Sequence, residues 1–175
     1  MKSKIFALSL FLSFFLSSCE SVDELLSFNI SNQTIFEIPS SSPINLPSEI
    51  IMPEVTTNSS SEFENNNTNA SLVKDVKLKS LALSITIPDG KSFTFLKSVH
   101  LYISTTDFDE IELAYQDNIN TTSSSIDLIC TEEKLDQYIK ADSYKIRTKV
   151  VVKESLTEDT TIKADMKFRV TADPF

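Results

Sequence analysis

The sequence predicts an all-β protein, an antiparallel β-sandwich of about seven to eight strands with one or two short helices. Three observations predict it. From residue 76 onward apolar and polar residues alternate in run after run, the period-two pattern of strands with one buried face. One segment in that region, 132–140, switches to helical spacing. The joints between runs are built from Asn, Asp, Ser and Pro in a chain that has a single glycine, Gly90. Short polar turns and little helix favour a sandwich over a closed barrel.

Taken in order, Leu26, Phe28 and Ile30, then Phe36 and Ile38, mark two strands or one bent one. A Pro/Ser/Asn-rich stretch follows, Pro39 to Asn69, in which Pro39, Pro43, Pro47 and Pro53 stand too close together for a helix or a central strand. A structureless stretch of that length is unusual inside a domain. It is either a strap along a sheet edge or the site of a helix near Ser60 to Asp75, with Phe63, Leu72 and Val73 reaching the core; strap followed by helix is the favoured reading. A one-residue change of parity between Val76/Leu78 and Leu81/Leu83 predicts a β-bulge.

Leu81, Leu83, Ile85 and Ile87 lead into Pro88-Asp89-Gly90, a turn with glycine where positive φ is needed. Phe93, Phe95, Val99, Leu101 and Ile103 keep the parity, so the two runs read as a hairpin around Gly90. Ile111, Leu113 and Tyr115 form a shorter strand and Ile126, Leu128 and Cys130 another, with Asn and Asp taking the place of glycine in the turns. Leu135, Tyr138 and Ile139 behind a Thr131 cap predict one short helix over 132–140. Tyr144, Ile146, Val150 and Val152, then Ile162, Ala164, Met166, Phe168 and Val170, predict two long antiparallel strands joined by 154–159. Immunoglobulin-like Greek-key connectivity is the default expectation for such a set.

The first residues carry an address. Lys2 and Lys4 precede an uncharged run from Ile5 to Leu16, the length of a signal-peptide core and too short to span a bilayer. Leu16-Ser17-Ser18-Cys19 resembles the lipobox of bacterial lipoproteins, which implies cleavage before Cys19, acylation of its thiol and anchoring in a membrane. Glu20, in place of Asp, resembles lipoproteins sorted to an outer membrane, and Asp23 and Glu24 resemble the export tags of surface lipoproteins in the Bacteroidota. The expected location is therefore the cell outer membrane, with surface display favoured over the periplasmic face. The chain divides into a signal peptide (1–18), a lipidated N-terminus with the first strand or strands (19–38), a strap or linker (39–71) and a β-sandwich domain (72–175).

Composition excludes more than it assigns. The formal charge is -9 before cleavage and -11 after it, so general binding to nucleic acid or to anionic membranes is not expected. Acylation of Cys19 leaves Cys130 as the one remaining thiol, which rules out an internal disulfide and reads as a small apolar strand residue. One glycine cannot build a dinucleotide fingerprint or a P-loop, because close approach of backbone amides to phosphate needs several. His100 is the single histidine and lies in an alternating run as an ordinary strand residue. No cofactor is expected and no enzyme class is supported.

The residues that could carry function form four groups. Lys145, Arg147, Lys149 and Lys153 share one parity and Lys163, Lys167 and Arg169 the same on the next strand, with Asp165 interrupting the row. From residue 143 there are seven basic and five acidic residues, while 20–142 is strongly acidic. If the two strands pair, this basic C-terminal hairpin is a carbohydrate- or anion-binding surface; the plainer reading is a solvated face that discourages aggregation. Asp107 and Asp109, with Glu110 and Glu112 beside them, are weak candidates for calcium, lacking a glycine turn. Tyr102, on the face of His100, and Tyr115, Tyr138 and Tyr144 could stack on sugar or fill the core. Asp159-Thr160-Thr161 resembles an O-glycosylation acceptor of Bacteroidota.

The segments Phe63, Asn65-Asn66-Asn67-Thr68, Leu72 to Leu78, Phe95-Leu96-Lys97-Ser98 and Val170 to Pro174 resemble small outer-membrane lipoproteins of flavobacteria. That resemblance covers most of the mature chain and brings no activity or site residue with it. The implied role is a lipid-anchored, non-catalytic binding or structural module whose partner is an envelope protein or glycan.

Overall fold

Consecutive strands of this chain rarely pair with each other. The structure, a computed structural model, describes residues 27–173. The signal peptide, Cys19 and the acidic tag at Asp23 and Glu24 lie outside the described residues. In order the elements are β1 (Ser27–Ile38), β2 (Pro47–Ile51), β3 (Val55–Thr56), α1 (Ser59–Asn65), β4 (Val73–Ile87), a 3-10 turn (Phe93–Phe95), β5 (Leu96–Ser104), β6 (Ile111–Gln116), β7 (Ser125–Asp127), β8 (Ile129–Cys130), α2 (Asp136–Ile139), β9 (Ser143–Val152) and β10 (Thr160–Ala172).

Sheet A has the order β1-β10-β4-β7, and sheet B the order β2-β9-β5-β6-β8 with β3 also against β9. The two pack as an all-β sandwich, as the alternation predicts. Alternate residues of β9 and β10 turn inward, so Tyr144, Ile146, Val150 and Val152 from one sheet meet Ile162, Met166, Phe168 and Val170 from the other in a single core. The connectivity differs from the expected immunoglobulin-like one. In that arrangement the last two strands pair in one sheet; here β9 lies in sheet B and β10 in sheet A. Apart from the short β3 and β8, the order is that of a jelly roll, two four-stranded sheets made by chain segments that cross from one to the other.

This crossing corrects three expectations with one cause. The runs on either side of Gly90 are not a hairpin: β4 pairs β10 and β7, whereas β5 pairs β6 and β9. Gly90 has φ +75 as the turn requires, but the turn is a corner between sheets. The run Ile126, Leu128, Cys130 is not one strand, since β7 pairs β4 and β8 pairs β6, with Leu128 buried at the crossing. The basic C-terminal hairpin does not exist as a hairpin, because its two strands belong to different layers. Alternation reveals which face of a strand is buried and carries no information on which neighbour it pairs with.

The segment 27–71 is part of the sandwich and not a preamble to it. β1 is one continuous strand paired with β10 over its whole length, from Ser27 opposite Thr171 to Ile38 opposite Thr160. The strap runs along the outer edge of β9: β2 pairs Pro47 to Ile51 with Val151 to Arg147, and the Met52 and Thr57 amides donate to Ile146 and Asp142 carbonyls. α1 is shorter than expected, ending where Asn67 turns to φ 54. Phe63 from α1 and Val73 from β4 reach the core, as expected, whereas Leu72 is only partly buried and stays out of it. The parity change in β4 is a bulge at Lys79, between the pairs Leu78/Phe168 and Ser80/Lys167.

α2 is a single turn with Leu135 at its N-cap and no side-chain cap. Thr131 does not cap it; its hydroxyl donates to the Glu112 and Leu113 carbonyls of β6 instead. The spacing still places Leu135, Tyr138 and Ile139 in the core. Asparagine does replace glycine at bends: Asn45, Asn58, Asn67 and Asn118 all have φ between 51 and 59. Among the described residues no helix is long and apolar enough to cross a membrane.

Candidate functional site

The outer face of sheet B gathers the unusual side chains. On β5, Val99, Leu101 and Ile103 point inward, which leaves His100 and Tyr102 outside. On β6 a bulge separates the pairs Leu101/Ala114 and Tyr102/Glu112, so Leu113 and Ala114 both turn inward. The extra residue puts Glu112 and Tyr115 on the same outer face, although three positions apart they would face oppositely on a regular strand. Plain alternation groups Tyr115 with Ile111 and Leu113; the adjacent apolar pair Leu113-Ala114 is the signal that could have revealed the bulge.

Three rings stand in a row. Tyr115 and His100 are nearly parallel, 15° apart with centroids 5.7 Å from each other, and His100 and Tyr102 are likewise 15° apart at 6.5 Å. From β9, Arg147 extends the row, its guanidinium carbon 4.4 Å from the centre of the Tyr102 ring. Carboxylates fix this array from both sides. Glu110 takes Arg147 in a two-pronged contact, Nε to Oε2 at 2.9 Å and Nη2 to Oε1 at 2.6 Å, and Glu49 of β2 accepts from Nη1 at 2.8 Å. His100 Nδ1 lies 2.7 Å from Glu112 Oε1 and its Nε2 3.3 Å from Asp117 Oδ1. The hydrogen bond to Glu110 holds the Arg147 guanidinium above its ordinary pKa, and partial burial, helped by Glu112, pushes the Tyr102 phenol up.

Beside the rings runs an open groove of about 330 Å³, lined by Pro47, Ser98, His100, Tyr102, Lys149 and Val151. It combines the His100 and Tyr102 rings, the apolar Pro47 and Val151, the ammonium of Lys149 and the hydroxyl of Ser98. Such a surface can stack on the apolar face of a ring and exchange hydrogen bonds with hydroxyls around its edge.

The remaining candidates are dispersed. Arg147 is engaged as described and Lys153 donates to the Ile119 carbonyl at 2.7 Å, leaving Lys145 and Lys149 of that row without a carboxylate partner among the described residues. Lys163, Lys167 and Arg169 project from the outer face of sheet A, on the other side of the core. The seven cations are therefore two separate rows, and a continuous basic ribbon is not formed.

Asp107 and Asp109 sit in the loop before β6, but Glu110 and Glu112 are drawn away to Arg147 and His100. Among the described residues no group of three or more metal-ligating side chains comes together. Tyr138 and Tyr144 are core residues, and burial raises the Tyr144 phenol far above its usual range. Cys130 is half-buried, and that burial pushes its thiol up. Thr160 of the glycosylation-like triplet is fully buried opposite Ile38, so its hydroxyl is inaccessible as an acceptor.

No family model and no curated protein matches the chain. Among solved structures, the chain is similar to a protein from Eubacterium rectale described as secreted, at 9% identity and TM-score 0.40, over 83% of this chain and 40% of that one. The chain thus spans under half of that protein. It is also similar to a Desmodium yellow mottle tymovirus structure, at 16% identity and TM-score 0.29 over 85% and 89% of the two chains. A third is the decameric BFDV capsid protein, at 10% identity and TM-score 0.36 over 82% and 98%.

Proposed function

We propose that this chain is a lipid-anchored, non-catalytic module of a bacterial cell envelope that binds carbohydrate on the outer face of sheet B. The anchor rests on the lipobox at Leu16 to Cys19, and outer-membrane placement with surface display on the residues that follow it. The observation that carries the binding role is the array of Tyr115, His100, Tyr102 and Arg147, its three rings nearly parallel and its Arg147 and His100 held by Glu110, Glu49 and Glu112, beside an open groove. Rings fixed in this way lose little freedom when a sugar stacks on them, which favours binding by a shallow surface. The carboxylates are committed to orienting the array, and this supports a holding role over a reacting one.

Affinity electrophoresis against envelope polysaccharides tests the reading. The wild-type protein is retarded, and Tyr102→Ala weakens binding by about 1–2 kcal/mol, on the order of tenfold in Kd, with the melting temperature little changed. Equal retardation of wild type, Tyr102→Ala and Tyr115→Ala overturns the assignment.

A further inference from the structure

The outer face of sheet A has a different character, and its position relative to the anchor gives it a partner. Arg169 on β10 stands between Asn29 on β1 and Lys77 on β4, and in the next row Lys167 stands between Ser31 and Ser80. The bulge in β4 adds a further cation, because Leu78 and Leu81 both stay inside and the extra residue, Lys79, is left exposed. Lys79 and Arg169 line a polar groove of about 170 Å³ with Ser27 and Asn29. Around this groove the carboxylates are occupied or recessed: Glu132 holds Lys77 at 2.9 Å, Asp165 holds Lys163 at 2.8 Å, and one oxygen of Asp75 is buried, while the exposed Glu37 and Asp127 lie further along the sheet, opposite Thr161 and Ala82. Lys79, Lys167 and Arg169 have no carboxylate partner among the described residues.

The groove opens at the first residue of β1. Cys19 and Ser27 are eight residues apart, which at full extension is no more than about 28 Å. A tether so short keeps the groove at an effective concentration on the order of millimolar relative to lipid headgroups. The chain as a whole is acidic and is not drawn to an anionic surface, but once tethered its uneven charge orients it.

We infer that the groove at Lys79, Lys167 and Arg169 seats the phosphate of the bilayer that carries acylated Cys19, laying sheet A on the membrane and turning the ring face of sheet B outward. The inference rests on the lipid-anchor reading and adds the orientation. It is tested with the acylated protein in vesicles of phosphatidylcholine, with or without phosphatidylglycerol, by measuring how fast each lysine is modified by an amine reagent. Lys79 and Lys167 slow in phosphatidylglycerol by at least about fivefold, the weight of one cation at an anionic surface, while Lys145 and Lys149 on sheet B keep their rates.

The double variant Lys79→Glu with Arg169→Glu, checked for folding by circular dichroism, loses the slowing at Lys167. Equal rates at Lys79 in both vesicles, or uniform slowing of all four lysines, overturn the inference. So does equal protection by soluble glycerol phosphate over phosphatidylcholine alone, which would make the ligand a free phosphate. An N-terminal peptide without acyl mass is a separate failure, that of the anchor itself, and is read from the same spectra.

Discussion

Phe63→Ala tests whether the strap and α1 are integral to the sandwich. Phe63 is 1% exposed, and its ring meets Phe28 of β1 edge-on, with centroids 6.3 Å apart and planes at 76°. It therefore ties the segment between β3 and β4 to the edge strand of sheet A. Truncating a fully buried Phe costs about 3–5 kcal/mol, and the edge-on contact places this site in the middle of that range or above. A domain of this size loses about 3 °C in melting temperature per kcal/mol, so the expected drop is about 12 °C. Thermal unfolding by circular dichroism measures it, and urea unfolding shows the midpoint falling with the slope unchanged. Ile51→Ala is the control: Ile51 lies on β2 of the same strap but is 78% exposed, and its loss moves stability by no more than about 0.5 kcal/mol. A drop for Phe63→Ala no larger than the control's refutes the claim that residues 39–71 fold with the sandwich.

Thr148 is fully buried on β9 and its hydroxyl has no partner among the described residues, so the isosteric Thr148→Val removes an unsatisfied polar group and raises stability by about 1 kcal/mol in chemical unfolding; a loss of stability contradicts the packing described. Asp159 accepts from the Ser40 amide at 2.7 Å and from its hydroxyl at 2.8 Å, which lowers its pKa. A depressed carboxylate stabilises the fold above its unfolded pKa, near 3.8, and that contribution is lost as pH falls through the lower folded value. Exchange protection of the Ser40 amide is thus expected to persist at the unfolded pKa and to fall only as pH passes the lower folded value, whereas in Asp159→Asn it shows no such step. Cys19→Ser abolishes acyl labelling and releases the protein from membranes; continued acyl labelling refutes the lipobox assignment.

Burial was legible in the sequence because it has a local cause. Leu81 and Leu83, Val99 to Ile103, Tyr144 to Val152 and Ile162 to Val170 all face the core as their spacing requires. The bulge at Lys79 was legible for the same reason, since an extra residue leaves a visible break in parity. Partnership was not legible. Nothing in Leu83 or Leu101 says that one joins β10 and the other β9, because a pleated strand offers the same hydrogen bonds to any neighbour. The site inherits both limits. Tyr102 and His100 are readable as neighbours on one strand face, but Arg147 and Glu49 reach them only through pairings of β9 with β5 and β2, and Glu110 only through the pairing of β6 with β5. Likewise the seven C-terminal cations share one parity in sequence, and the sheet crossing divides them between two surfaces.

The pairing of β1 with β10 has a kinetic consequence. Ser27 and Thr171 bond side chain to side chain across 144 residues of sequence, and β4 likewise waits for β10 as its principal neighbour. Contacts so distant in sequence make folding slow, because the loop must close before the pairing repays it. In a chain delivered N-terminus first, as the proposed export would deliver it, sheet A cannot assemble until its final strand has emerged. Completion of this sheet thus waits for β10, and any truncation within β10 leaves two long strands without the partner they share.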